Sequence, residues 1–315
     1  GMHGALSTTS TVAAVGTASW GTNLNASWAV TSSGDLLYWG DDAAGKLTAN
    51  AVVLSGLGPV AAARACGTGN GAMLYVLKVD GSVWAVPARG LTDTTKGFAV
   101  AGVGQAKALG DGTDANCSSM LAIDKDGGVW QLQASNPADV AGVPTQAQGL
   151  AVSGLSKVAQ ASCAASNCMA LISDGTVMAW GSNDKGQLGD STLNPRQAPA
   201  PVVIPMSDSI QQVLMTANGA AYAISTQNTL YGWGLLDETW ISATSKGLPG
   251  TNPTKILGFV QDVSVSPAAG GHTLVMMSVD REVYGWGQNG SAEVSSPSSA
   301  MPLTDHPTDT TISLQ

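Results

Sequence analysis

Charge is scarce in this chain. Lys, Arg, Asp and Glu together make up 11% of 315 residues, where about a quarter is usual. The 13 basic residues are scattered and never form a run of three. That excludes the clustered positive charge that nucleic-acid phosphates demand, and with it attraction to an anionic membrane surface. No apolar run approaches the roughly 20 residues of a membrane span, and no charged-then-apolar leader opens the sequence. Histidine occurs three times, at His3, His272 and His306. The four cysteines show no metal-type spacing, so a zinc site is not expected. A G-x-S-x-G elbow and a phosphate-cradling Gly-Lys-Ser/Thr turn are both missing. No cofactor is expected, and catalytic constellations are thin.

What is present suits short strands and turns. Glycine numbers 39, hydrophobic residues reach 44%, and the formal charge is −9. A hydrophobic fraction of that size supports a large core. Residues 1–10 read as a polar, disordered lead-in, and 11–315 as one domain. The cysteines are even in number: Cys66, Cys117, Cys163 and Cys168. Cys163 and Cys168 enclose four residues and are expected to bridge across a hairpin. Cys66 and Cys117 either pair across neighbouring units or stay free.

Self-similarity organises the rest. "SDGTVMAWG" (173–181) has counterparts at 32–40, 79–87, 125–133, 226–234 and 279–287. With the turn residue as origin, the units start at Gly34, Gly81, Gly127, Gly175, Asn228 and Arg281, spaced 47, 46, 48, 53 and 53 residues apart. Aliphatic residues or Met recur four before the turn and aliphatic residues two after it. Five before it the residue is usually small: Ala29, Ala122, Ala170 and Ala223. Both faces of that strand are therefore apolar, unlike a sheet with one solvated face. The Asp-Gly pairs at 80–81, 126–127 and 174–175 predict type I′ hairpins. Further strands lie upstream, in 54–65, 152–162 and 258–266. About four strands per ~50 residues is the pattern of a β-propeller blade. The expected fold is all-β, a propeller of six four-stranded blades, with the C-terminal strand region completing the first blade and removing an open edge.

"VMAWGSNDKGQLGDS" followed by 195–202, and "GGHTLVMM" before "REVYGWGQN", resemble the regulator of chromosome condensation repeat. The resemblance covers residues 11–315. It is sharp in the fourth unit, fair in the first, fifth and sixth, and degenerate in the second and third, which lack the Trp-Gly pair. Members of that family usually have seven blades, so a seventh, unrecognised unit stands as the alternative to six. The resemblance makes "WGSNDKGQLGD" a structural loop, with Leu188 as an apolar anchor and Leu47, Ile241 and Val294 as its equivalents. His272 falls at the repeat's own histidine slot, a structural role, and His306 in a polar tail.

Seven of nine tryptophans fit repeat positions and read as core: Trp28, Trp39, Trp84, Trp130, Trp180, Trp233 and Trp286. Trp20 and Trp240 do not. Trp240 occupies a slot held elsewhere by Lys46, Gln187 and Glu293, which predicts exposure to water and a role in recognition. Strand alternation gathers Trp20, Asp41, Asp42, Asp111, Asp114, Asp184, Asp237, Glu238 and Trp240 at the end opposite the Asp-Gly turns. Asp111 and Asp114 read as a plain turn, with a weak calcium site as the alternative. The expected function is a non-catalytic, monomeric protein-binding propeller, bacterial and extracellular or periplasmic. Its acidic long-loop face would dock another protein, one of basic character. The alternative is a carbohydrate-binding protein or enzyme with its site at the channel mouth. Similar propellers act as exchange factors for a small GTPase and as secreted inhibitors of β-lactamase.

Overall fold

A strand that is apolar on both faces has to lie between two sheets. The segment Met73–Lys78 does so. Leu74 and Val76 join one buried cluster with Trp28, Val30 and Tyr38, while Met73, Tyr75 and Leu77 join another with Leu109, Met120 and Leu132. The small residues expected five before each turn, Ala29, Ala122, Ala170 and Ala223, are at most 1% exposed, which keeps one face of their strands flat.

The computed structural model describes residues 11–21, 24–92, 97–113, 117, 119–136, 142–164, 166–205, 209–216, 219–236, 250–268, 271–280 and 283–287. Among them there is no α-helix, and one 3-10 turn at Gly69–Gly71. No helix is long and apolar enough to cross a membrane. Contacts gather the chain into two units, Gly1–Ala165 and Ser166–Gln315. The expected lead-in 1–10 and the C-terminal region lie outside the described residues.

In the first unit, β1 (Val12–Gly21), β2 (Leu24–Thr31), β3 (Leu36–Asp41) and β4 (Leu47–Val53) form an antiparallel sheet in that order. This sheet draws all four strands from residues 12–53. β4, unrecognised in "LTANAVV", fills the outer position, and the C-terminal region expected to complete this sheet lies outside the described residues. A second sheet follows as β5 (Val60–Cys66), β6 (Met73–Lys78), β7 (Val83–Pro87) and β8 (Phe98–Ala101). A third has β9 (Ala106–Leu109) as its inner strand. After a short β10 (Asp111–Thr113), it continues with β11 (Leu121–Asp124), β12 (Val129–Ser135) and β13 (Gln146–Val152), and a short parallel pairing of β13 with β8 joins the outer edges of the second and third sheets. β10 leaves this sheet and pairs in parallel with β14 (Val158–Ala164). Asp111 is thus a strand residue and not the turn expected of "GDGTDAN". Cys66, at the end of β5, is disulfide-bonded to Cys117, with Cα atoms 5.1 Å apart. Cys163 and Cys168 are also disulfide-bonded.

The second unit continues the series. It holds β15 (Asn167–Ile172), β16 (Val177–Gly181) and β17 (Arg196–Pro201). A four-stranded sheet comes next: β18 (Ile210–Met215), β19 (Ala220–Ser225), β20 (Leu230–Gly234) and β21 (Gly250–Leu257). The last described strands are β22 (Val260–Ala268), β23 (Gly271–Ser278) and β24 (Val283–Gly287). His272 lies on β23, paired in register with Pro267. Tyr222, Ile224, Leu230, Val260, Val263 and Met276 form the core between the last two sheets.

The hairpin turns differ from the expected type. Positive φ falls on Gly34, Gly81, Gly127, Gly175 and Asn228, at 86°, 83°, 81°, 89° and 60°, and not on the residue before each. A type I′ turn needs it at both central positions. Each loop has three residues: the Gly81 amide donates to the Lys78 carbonyl and the Lys78 amide to the Ser82 carbonyl. This is a type I turn closed by a left-handed residue in a bulge. The aspartates at 80 and 174 accept from the amides two residues on, at 2.9 Å in both cases, which explains Asp before Gly.

The turn residue also links repeats. Its carbonyl accepts from the first amide of the next inner strand. Val60, Ala106, Val158, Ile210 and Val260 donate to Gly34, Gly81, Gly127, Gly175 and Asn228, over 2.8–3.3 Å. At Gly127 a Cβ would sit 2.5 Å from Lys157 Cα, so the approach that makes this bond also excludes a side chain.

Gly127→Ala is expected to lower stability by about 2 kcal/mol or more, since the left-handed conformation alone costs roughly 1–2 kcal/mol and the backbone contact adds to it. Asn228→Gly, where a side chain is already accommodated, is expected to stay within about 1 kcal/mol. Urea unfolding checks both. Replacing Cys66 and Cys117 together by Ala is expected to cost about 4 kcal/mol on the loop-entropy account, given their separation of 51 residues.

Candidate functional site

The long loops that leave the Trp-Gly strands lie at the end opposite the hairpin turns. The loop after β16 shows how one is held. Asn183 is 1% exposed. Its Nδ2 donates to Asp190 Oδ1 at 3.1 Å and to the Thr192 carbonyl at 3.0 Å, and its Oδ1 accepts from the Leu188 amide at 2.9 Å. Asp190 also accepts from the Thr192 amide and hydroxyl at 3.0 and 2.8 Å and from Arg196 Nη1 at 3.0 Å. Arg196 donates onward to the carbonyls of Ala179 and Ala200, both at 3.1 Å. Burial works to raise the Asp190 carboxyl, but Thr192, Arg196 and Asn183 outweigh it and hold it below the ordinary carboxylate range.

Gln187 completes the loop and corrects an expectation. The slot it shares with Lys46, Glu293 and Trp240 was expected to face water, yet Gln187 is 2% exposed. Its Nε2 donates to Asn167 Oδ1 at 3.2 Å and Asp184 Oδ1 at 3.1 Å, and its Oε1 accepts from the Lys185 amide at 2.7 Å. The Gln187 carbonyl receives Trp233 Nε1 from β20 at 3.0 Å, so the loop is bolted to the following sheet. Leu188 is fully buried, as an anchor should be. Leu47 is not its equivalent: it is 65% exposed. In the first repeat the anchor is Asp42. Its carboxylate accepts from the amides of Ala44 and Lys46 within its own loop and from Gly90 of the next repeat, over 2.8–2.9 Å.

The remaining candidates divide. Trp20, expected on the rim, is 1% exposed and belongs to the core with Trp28 and Tyr38. Burial, opposed by the nearby Trp20 indole, pushes the Tyr38 hydroxyl up to about 12. Asp42 is 4% exposed, its carboxylate consumed by backbone amides. Asp111 is partly exposed and ion-paired with Arg64 on β5 at 2.6 Å. Asp41 is half-buried and accepts from the Asn25 amide at 3.4 Å. Asp184 is exposed. A hydrogen bond from Gln187, with Lys185 close by, holds its carboxyl below the ordinary range. Asp114, Asp237, Glu238 and Trp240 lie outside the described residues, as do Ile241 and Val294. Sequence reasoning missed the exposed apolar side chains at this end, Leu47 in the first unit and Leu193, 48% exposed, in the second. Leu193 carried a signal, standing as a lone apolar residue in the turn "STLNP".

Residues 174–217 match the regulator of chromosome condensation (RCC1) repeat. This segment runs from the Asp174 hairpin through the bolted loop to β18. That segment is similar to one copy of the repeat. Among curated proteins, the human probable E3 ubiquitin-protein ligase HERC6 is 30% identical over 142 residues, 44% of this chain and 14% of that protein. The protein pim1 of Schizosaccharomyces pombe is 25% identical over 158 residues, 48% of this chain and 29% of that protein. The chain therefore spans less than a third of these curated relatives. Among solved structures, Prp20p of Saccharomyces cerevisiae superimposes with a TM-score of 0.60 at 16% identity, covering 83% of this chain and 69% of that one. That likeness shows the fold, an all-β propeller of four-stranded sheets.

Two outcomes test the loop. Asp190→Asn is expected to destabilise the protein at neutral pH. The Asp190 carboxyl is depressed in the folded state, so its contribution is present above the unfolded value of about 3.9 and is lost as pH falls through the lower folded value. The Tm gap between the two proteins should therefore be constant above about pH 5 and shrink with acidification. Trp233→Phe, which keeps the ring but removes the bond to Gln187, should cost about 1 kcal/mol.

Proposed function

We propose that the chain is a non-catalytic docking module that takes a partner protein on the long-loop end. The observation that carries this reading is the state of the loops. The polar side chains in the loop after β16 spend their hydrogen bonds on that loop and the strands beside it. This pre-organises the backbone and leaves Asp184 and Leu193 facing outward. In the first unit Leu47 faces outward in the same way, with Asp41 half-buried beside it. Rigid loops presenting acidic and apolar groups suit recognition, since little ordering entropy is lost on binding. The partner they fit carries basic and apolar side chains.

The solved relatives support protein binding as the class of function. One is titled for the binding properties of Prp20p to Gsp1p and histones, and another shows yeast RCC1 (Prp20) bound to Kap60. The same partners are not proposed here. With every cysteine among the described residues in a disulfide, an oxidising compartment fits best, and we place the module outside the cytosol, in the periplasm or extracellular space, as a monomer.

The test is capture from a periplasmic or secreted fraction by immobilised protein, in parallel with a chain carrying Asp41→Lys and Asp184→Lys. The charge-reversed chain is expected to lose a salt-sensitive partner while its Tm stays within a few degrees. Equal capture by the two chains, or capture insensitive to salt, overturns the reading.

A further inference from the structure

The outer edge of a sheet presents a row of unpaired backbone N–H and C=O groups, which proteins blunt with proline, charge or a covering segment. The first sheet departs from this rule. Among the other described outer strands, β8 and β13 cover one another by parallel pairing of Val100 with Ala147 and Ala101 with Gln148. β17 carries Pro199 and Pro201 with Arg196, and β21 carries Pro253 and Lys255. β4 has none of these. Its sequence, LTANAVV, holds neither proline nor charge, and among the described strands it pairs with β3 alone.

The strand is open at its side chains as well. Leu47 and Val53 are 65% and 52% exposed. They stand in register with Asp41 and Leu37, which alternate onto the same side of β3, so the two share one face of the sheet. Ala49, Asn50 and Ala51 between them are exposed too. The register slips across this stretch: Tyr38 faces Val52 and Gly40 faces Thr48, so β4 covers the same length of sheet with more residues than β3. The neighbouring charges are of both signs and lie beyond the ends of the strand. Lys46, half-buried Asp41 and Arg89 of the next repeat are at the long-loop end, and Asp35 is at the hairpin end.

From this we infer a second docking site, the outer edge of β4, which takes an extended, uncharged segment of a partner protein as a fifth strand of the first sheet. Main-chain hydrogen bonds hold the segment, and its apolar residues at alternate positions cover Leu47 and Val53. The edge itself selects the occupant. A row of unpaired strand amides and carbonyls is matched by another extended backbone. With no charge from 47 to 53, an ionised residue on the segment would lose water and gain no partner. A second copy of this chain fits less well. Its other described outer edges are blunted, so it would have to bring β4, and antiparallel pairing of Leu47 with Val53 would set the two slipped stretches against each other at Asn50. A single unfolded segment follows the slip. The site shares Leu47 with the long-loop end but needs neither Asp41 nor Asp184, so its binding does not depend on salt.

The probe is a short capped peptide of alternating threonine and valine, with a twin N-methylated at every residue. The readout is amide hydrogen exchange of the protein. The peptide is expected to slow exchange saturably in 47–53 and to leave β17 and β21 unchanged, with the same affinity at low and high salt. The methylated twin, which cannot donate to the edge, is expected to protect nothing. Asn50→Lys and Val53→Lys, each adding the charge that β4 lacks, should weaken the peptide at least about tenfold while Tm stays within a few degrees, because both side chains are exposed. The chain with Asp41→Lys and Asp184→Lys should bind the peptide as the parent does, which separates this site from the acidic long-loop reading. No protection of 47–53, equal protection by the methylated twin, or undiminished binding by both lysine variants overturns the inference. So does protection of 47–53 that rises on concentrating the protein alone, which would assign the edge to a second copy.

Discussion

Everything in this fold depends on one backbone hydrogen bond, from the first amide of an inner strand to the carbonyl of the preceding repeat's left-handed turn residue. Among the described residues it recurs five times, at Gly34, Gly81, Gly127, Gly175 and Asn228. The bond needs no particular side chain in either partner. It needs a residue at positive φ whose carbonyl faces the next sheet and whose Cα can be approached closely. The first demand selects Gly or Asn, and the second narrows the choice to Gly where the next backbone comes within 2.5 Å, as at Gly127. Side-chain packing then follows, because the strand leaving each turn is already fixed at one end.

The other end of the sheets is fixed differently. There the long loops reach sideways and are fastened by side chains, Asp42 to the Gly90 amide in the first unit and Trp233 to the Gln187 carbonyl in the second. One end of a repeat is thus held by main chain and the other by whatever polar or aromatic residue the loop supplies. Diversity is cheaper at the side-chain-held end, which is why the loops differ while the turns do not.

This contrast explains what could be read from residues alone. The turn origins, the aliphatic positions around them and the small residues at Ala29, Ala122, Ala170 and Ala223 are local and periodic, so the repeat and its all-β propeller fold were visible. The turn type was misread because Asp-Gly satisfies two hairpin geometries. Only the loop length, set by the Lys78–Ser82 pairing and its counterparts, separates them. β4 went unseen because "LTANAVV" is an exposed outer strand with little apolar contrast. Burial at the loop end was least legible. Trp20, Asp42 and Gln187 look like surface residues in their sequence context, but each is covered or bonded by a segment tens of residues away, and no local pattern carries that information.

The disulfide between Cys66 and Cys117 has a consequence for the chain's integrity. It encloses β6 to β10. A protease that cuts the peptide bond after exposed Arg89 severs the chain without releasing a fragment, because the pieces on either side of the nick stay covalently joined. In a compartment rich in hydrolases, a molecule cut there keeps its mass, and its second and third sheets stay tethered at the inner strands. The bond acts as a hoop around the most looped-out part of the first unit.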